Sequence, residues 1–353
     1  FFRLSRPVKG LIFVILACFI SNLFIWKEFI PTSGFIFYIM NFMMSLSTAL
    51  AYFIDRIYTK RLKGIISTFI LPCVFVVLEF LSVSINPGGS FGALSTTQSS
   101  LPFLQLVSIT GIWGITFFIY WSAAMINWLL DNDLDNTLLR KALWVFVLPA
   151  ALVVLFGEFR LSSTLNEDTV KIASVNISKN DLQNIYNDQP DLVNRRINET
   201  FLRYCEIAAL SEAKIVFGNE TMLNMNSDEE EEYIEKAKAV AEKNGIYIGL
   251  PLLIYPINDT KARPMNKITW ISPQKEILFS YFKAKPTPGE GSYGDGVIQY
   301  FDSPYGRISS VICFDMDFPG LIRQVRSMNI DIMLVPGNDW KDITPYHTYA
   351  ASF

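Results

Sequence analysis

Apolar and polar positions divide this chain into two stretches of different kind. Up to about residue 157 the apolar residues come in long runs, and beyond it in short periodic segments separated by charges. Residues 10–26, between Lys9 and Lys27, read GLIFVILACFISNLFIW, and further runs cover 34–54, about 65–84, about 104–130 and about 142–157. A helix crosses a bilayer on about 20 apolar residues, within a range of about 17–25, so the pattern predicts five spans, the first and fifth at the short end. The first run also has the form of a signal peptide, but no small-residue cleavage site follows it and four more runs do. Between the third and fourth runs, INPGGSFGALSTTQSSLP (85–102) is too rich in Gly, Ser and Pro to span. It is expected as an outer-face loop, either a meeting place for lipid and the soluble domain or a plain connector. Within the third run, Glu79 interrupts LPCVFVVLEFLSV. A carboxyl at membrane depth is costly, and it reads either as a functional group or as a protonated or hydrogen-bonded packing residue.

The second stretch alternates strand-like and helix-like segments. Strands are predicted at 170–177, 214–220, 246–255, 267–272, 276–283, 297–302, 307–313 and 330–335, and helices at 191–212 and 319–328. Residues 227–245 form a third helix, with Ser227 as the N-cap, Glu230 completing a capping box and Gly245 closing the end. The whole is therefore expected to be a multi-span α-helical membrane bundle (1–160) followed by an α/β domain (161–353) whose reactive groups sit at strand ends.

Composition sharpens the division. The chain has 353 residues, of which 51% are apolar and 18% charged, so it is not an unstructured protein. Four cysteines are too few for a disulfide scaffold, and a net charge of −3 leaves no basic footprint for nucleic acid. Residues 1–157 carry 10 Lys and Arg against 6 Asp and Glu, whereas the remainder carries 20 against 27. The basic residues of the first part fall into three segments: Arg3, Arg6 and Lys9; Arg56, Lys60, Arg61 and Lys63; Arg140 and Lys141. The alternate loops hold only Lys27, so all three segments belong on the cytoplasmic side. Five spans then place the α/β domain on the opposite face, which in a bacterium is the periplasm or the cell exterior.

Candidate chemistry lies in the second stretch. IVFGNE ends in Glu220, YFKAKPTPGE carries Lys283 and Glu290, and DSPYGRISSVICFDMDFP places Cys313 where an apolar strand breaks into a polar turn. A cysteine so placed can act as a nucleophile if a base takes its proton and a cation or N–H holds the oxyanion. Glu220 is a candidate base. Lys283, with the backbone N–H of Phe314, is a candidate for stabilising a tetrahedral intermediate, and Asp315 and Glu290 are candidates for orienting the site. Taken by spacing alone, Cys313 equally reads as a buried small hydrophobe, and the charges as surface groups. Cys18, Cys73 and Cys205 read as packing residues, and with His347 as the single histidine no zinc site assembles at usual spacings. No cofactor is called for.

Together these residues carry a resemblance. Glu220, Lys283 and Cys313 occur in the order and setting of the Glu–Lys–Cys triad of the nitrilase (carbon–nitrogen hydrolase) superfamily. NKITWISPQKEILFSYFKAK (266–285) is similar to the strand–turn–strand leading to that family's lysine, and DIMLVPGNDW (331–340) to the strand after its nucleophile. The membrane half, through VVLEFLSVSINPGGSFGALSTTQ (76–98) and LVSITGIWGITFFIYW (106–121), resembles the apolipoprotein N-acyltransferases. Asn338 and Trp340, followed by Tyr346 and His347, resemble that family's region after the nucleophile.

The resemblance implies an αββα-type sandwich outside the inner membrane. It implies transfer of an acyl chain from a phospholipid to Cys313 as a thioester, then to the α-amine of a lipoprotein's diacylglyceryl cysteine. The implied partners are phospholipid donor, lipoprotein N-terminus and membrane lipid, with no nucleic acid and a monomeric chain. Some positions differ from the acyltransferase pattern: Asn219 replaces a usual proline, Asp315 a frequent glutamate, and the Lys283–Cys313 arm is short. Asp315 and the short arm favour one alternative, a membrane-tethered amidase or nitrilase acting on a small amide; Asn219 permits another, a binding module that keeps the fold without the chemistry. The family continues with more strands, so the catalytic domain is expected to be incomplete beyond Phe353.

Overall fold

The computed structural model describes residues 6–27, 29, 34–85, 88–163, 169–177, 190–257, 261–287, 290–291, 294–344 and 346–351. Arg3 and part of the expected outer-face loop (86–87) lie outside the described residues. The chain falls into two compact units, Phe1–Leu165 with Trp340–Phe353, and Asn166–Asp339.

The first unit is helical. Among the described residues it holds five helices long and apolar enough to cross a membrane. These are α1 (Pro7–Ile25), α2 (Phe35–Thr59), the 3-10 and α segment Gly64–Ile85 whose α part Ile70–Ile85 is α3, α4 (Ile112–Leu130) and α5 (Asn136–Ser163). The run at 104–130 does not form one span. Gly111 adopts φ +64, open to glycine without steric cost, and breaks the helix there. The preceding residues instead make two short turns, Leu101–Leu104 and Val107–Thr110. Ile12, Phe13, Leu16, Ile20 and Phe24 of α1 are exposed, as befits a surface facing hydrocarbon.

Small and polar residues make the helix contacts. Asn22 of α1 donates to Ser45 Oγ of α2 at 3.1 Å, and Trp121 of α4 donates to Thr68 Oγ1 at 3.1 Å. A Cβ at Gly157 of α5 would lie 1.8 Å from the carbonyl oxygen of Pro102. Gly157→Ala is therefore expected to destabilise the unit by about 1–3 kcal/mol, as overpacking does, with a lower melting temperature in detergent; an unchanged melting temperature would show that α5 and this turn do not pack so closely.

Glu79 serves as a tether in this unit. Its Oε1 accepts the backbone N–H of Leu94 at 3.0 Å, fastening the 3-10 turn Leu94–Thr97 to α3. Thr96 of that turn shares a short hydroxyl–hydroxyl bond with Tyr346. Tyr346 opens the last helix, Tyr346–Ala351, in which the His347 ring lies 5.8 Å from that of Phe91.

The second unit is α/β. Its larger sheet runs β1 (Ile172–Val175), β2 (Ile215–Gly218), β4 (Tyr247–Tyr255), β5 (Met265–Ile271), β6 (Ile277–Phe282), with β3 (Leu223–Asn226) also beside β4. The first four strands in chain order are mutually parallel, β5 runs antiparallel to β4, and β6 antiparallel to β5. A smaller sheet orders β7 (Tyr300–Ser303), β8 (Gly306–Ser310), β9 (Ile332–Leu334).

Helices Pro190–Leu210 (α6) and Glu230–Asn244 (α7) cover one face of the large sheet, where Ile197, Phe201, Ala237 and Leu250 form a core. A second core of Ile268, Trp270, Phe279, Tyr281, Phe301 and Ile308 joins the large sheet to the small one. Strand alternation decides what enters that layer. On β5, Asn266 shares the face of Ile268 and Trp270. Beyond β6, Lys283 continues the face of Phe279 and Tyr281, which delivers a lysine to the end of an apolar layer.

Local details depart from the expected pattern. Helix α7 starts at Glu230, two residues later than a Ser227 cap requires; Ser227 N–H instead bonds Tyr255 O, and Glu229 Oε2 accepts from Asn226 N–H. Gly245 does close the helix, at φ +62. The predicted helix 319–328 is split into a turn, Pro319–Ile322, and a 3-10 segment, Arg323–Ser327.

Candidate active site

Three loops of the α/β unit converge at one end of the inter-sheet layer. The first is the break between β2 and β3, which carries Glu220. The second follows β6 and carries Lys283 and Glu290. The third follows β8, whose ladder ends at Ser310, so that Cys313 lies beyond the strand rather than in it, opening the 3-10 turn Cys313–Asp317. Cys313 adopts φ +46, unusual for a residue with a Cβ. Its N–H bonds Pro336 O at 2.9 Å, which seats the turn against the segment after β9.

Lys283 is the hub. It is 2% exposed at its side chain, and its Nζ donates to Glu220 Oε1 at 2.7 Å and to both oxygens of Glu290 at 2.8 Å. Asn266, buried on β5, bridges the same two carboxylates, donating to Glu220 Oε1 at 2.7 Å and Glu290 Oε1 at 2.9 Å. Thr287 adds a backbone and a hydroxyl donor to Glu290 Oε2, at 2.8 and 2.9 Å. The Cys313 thiol interacts with the Glu220 carboxylate and with the backbone N–H of Asn338, and its Sγ lies 4.0 Å from Asp339 Oδ1.

Two carboxylates around one ammonium are pushed apart in acidity. Burial raises Glu220, the charge of Glu290 raises it further, and Lys283 with Asn266 opposes without winning; the balance is upward. Burial acts the same way on Glu290, but Lys283 and the two Thr287 donors outweigh it and hold this carboxyl below the usual range. Glu290 is thus a standing counter-ion, and Glu220 the carboxyl better disposed to take up a proton. Burial pulls Lys283 down, yet Glu220, Cys313 and Glu290 more than compensate and keep it protonated. Burial, then the charge of Glu220, push the Cys313 thiol up against Lys283 and the Asn338 N–H, so the resting sulfur holds its proton. A nucleophile so placed needs a base at the moment of attack.

Asp315 has a different task. It accepts Tyr281 Oη at 2.9 Å, Lys285 N–H at 2.7 Å and Ile312 N–H at 3.1 Å, joining β6, the Lys283 loop and the cysteine turn. The Phe314 ring meets Phe318 edge-on at 5.2 Å.

Residues 171–352 match the carbon-nitrogen hydrolase family. The chain belongs to that family. Residues 4–125 match the apolipoprotein N-acyltransferase N-terminal domain, so within the carbon–nitrogen hydrolases the chain is of the apolipoprotein N-acyltransferase type. No curated protein matches it. Among solved structures it is similar to an amidase from Nesterenkonia sp., at 13% identity and a TM-score of 0.38 over 43% of this chain and 62% of that one. A mutant of the amidase from Nesterenkonia sp. AN1, showing Michael addition of acrylamide at its active site cysteine, matches at 13% identity and a TM-score of 0.39, over 45% and 68%. The chain spans about 62% of the length of the first of these structures.

Of the site residues read from sequence, Glu220, Lys283, Glu290, Cys313, Asp315 and Asn338 meet in this carbon–nitrogen hydrolase domain. Trp340 and His347 fall in the helical unit, as does Glu79. Asn266 and Tyr281 escaped the sequence reading. Their signal was available: each is a polar or amphipathic residue on the apolar face of an alternating strand.

Proposed function

We propose that this protein is a membrane-integrated N-acyltransferase that acylates the diacylglyceryl cysteine at a lipoprotein N-terminus, with phospholipid as donor. The observation that carries the reading is the buried Glu220–Lys283–Glu290 cluster beside the Cys313 thiol, in a chain whose other unit holds, among the described residues, five helices long and apolar enough to cross a membrane. Cys313 Sγ attacks the ester carbonyl of the phospholipid as Glu220 takes its proton. The Lys283 ammonium and a backbone N–H hold the oxyanion. Collapse breaks the acyl C–O bond, and the lysophospholipid hydroxyl leaves with the proton from Glu220. The α-amine of the acceptor then attacks the thioester, passing a proton to Glu220, and the released thiolate recovers it. This ping-pong course uses no cofactor.

The three basic segments of the bundle support a placement of the α/β unit on the extracytoplasmic side, next to both lipid-anchored substrates. The chain is proposed to act as a monomer in a bacterial cytoplasmic membrane. Loss of turnover in Cys313→Ala is expected, along with amide formation when phospholipid-treated enzyme is chased with a diacylglyceryl-cysteine peptide. Asp315 and the short Lys283–Cys313 arm favour a second reading, hydrolysis of a small amide. Ammonia release without peptide acylation would select it.

A further inference from the structure

We propose that Asn224 is a positioning residue that holds the base-bearing turn in a strained conformation and thereby sets the reach of Glu220 to Cys313. The inference rests on the assignment of Glu220 as the base. Glu220 sits in the gap between β2 and β3, and the next residue, Thr221, adopts φ +52. That region is costly for a β-branched side chain, and such strain persists only where the surroundings over-determine it.

The surroundings here are specific. Met222 N–H closes the turn on Asn219 O at 3.2 Å. Asn224 is buried and reaches back, its Nδ2 donating to Thr221 O at 2.8 Å and Met222 O at 3.3 Å. Asn224 is in turn fixed by its own carbonyl, which accepts Asn198 Nδ2 at 3.1 Å, while Asn198 O accepts the Tyr233 hydroxyl at 2.8 Å. Asn338 Nδ2 also donates to Thr221 Oγ1, at 3.4 Å. The same short segment serves the nucleophile, through the Asn338 N–H to the sulfur and Pro336 O to Cys313 N–H. Two residues at positive φ, the one beside the base and the nucleophile itself, are thus referenced to residues 336–338. Asn224 is the buried grip that keeps the first of them in register. Without its donor, the Thr221 carbonyl is released, φ relaxes towards negative values, and the Glu220 carboxyl swings from the thiol towards water.

The test is the p-nitrophenol burst from a p-nitrophenyl acyl ester, followed across pH with full-length protein in detergent. It reads acylation of Cys313 whatever the natural acceptor is. Asn224→Ala, and the near-isosteric Asn224→Leu that removes the donor without adding a charge, are expected to slow the burst about tenfold or more. The acid limb of the profile should move to lower pH as Glu220 leaves its buried site. Adding Thr221→Gly to Asn224→Ala should recover several-fold of the lost rate, because glycine holds φ +52 without a grip. A burst within twofold of wild type in either variant overturns the proposal. So does a slowed burst with an unmoved acid limb and no recovery in the double variant. If the wild-type burst persists unchanged in Cys313→Ala and Glu220→Gln, the reading of the site itself fails, a result distinct from failure of the Asn224 proposal alone.

Discussion

Lys283→Ala is expected to cut acylation of Cys313 by about 10²–10³-fold, since it removes a preorganised cation from the developing oxyanion. It should also cost about 3–5 kcal/mol of stability, as breaking a buried ion pair from one side does. The reason is the hub geometry. One ammonium, almost wholly buried, neutralises two carboxylates at 2.7 and 2.8 Å, and alanine leaves both acids with Asn266 as their shared donor. One or both would then bind a proton rather than stay charged, so the stability loss should be greatest at alkaline pH and shrink towards acid. Urea denaturation followed by tryptophan fluorescence, run beside the burst assay, measures both effects. A midpoint unchanged from wild type, or a rate within tenfold of it, would contradict the hub.

The two glutamates should respond in opposite directions. Glu220 is raised in the folded state, so its stabilising contribution is full below the ordinary carboxylate range and is lost as pH rises through the raised value. At neutral pH its ionised form is a net burden, and Glu220→Gln should hold or increase stability while lowering acylation by about 10²–10⁴-fold, the range for a general base. Glu290 is lowered, so its contribution is full above the ordinary range and is lost as pH falls through the folded value. Glu290→Gln should therefore destabilise at neutral pH, by about 1.5–3 kcal/mol on the scale of hydrogen bonds to charged groups. The wild-type rate should itself fall on the acid side as Glu220 takes up its proton. Denaturation midpoints of the two variants at neutral pH decide the matter. Equal destabilisation by both would mean that the carboxylates are interchangeable struts and that the proposed division of labour is wrong.

How far the sequence could be read depended on the kind of signal each feature leaves. Charge-free runs are long and repetitive, so five spans emerged from composition alone. A single Gly111 was enough to shorten the fourth, because one residue at positive φ carries little weight in a windowed pattern. The strands around the site were legible by alternation, except β3, whose sequence Leu-Asn-Met-Asn is short and poor in β-formers and is held by tertiary bonds instead. Glu220, Lys283 and Cys313 stood out because each ends a segment. Asn266 did not, since its role depends on two acids brought from 46 and 24 residues away. The same holds for Asn224 and Thr221, whose importance appears only with backbone dihedrals in hand. A serine three residues before a glutamate fits the capping pattern at Ser227, but the Ser227 N–H that Glu230 would take up in such a box is bonded to Tyr255 O instead.

The most direct measurement of the central claim is mass spectrometry of the Cys313 peptide after the full-length protein has been held in phospholipid vesicles without acceptor. An acyl chain is expected on Cys313 as a hydroxylamine-labile thioester, accumulating at least about a hundredfold more slowly in Glu220→Gln and absent from the other three cysteine peptides. A folded protein whose Cys313 stays unmodified under those conditions, or whose acyl label sits elsewhere, would contradict it.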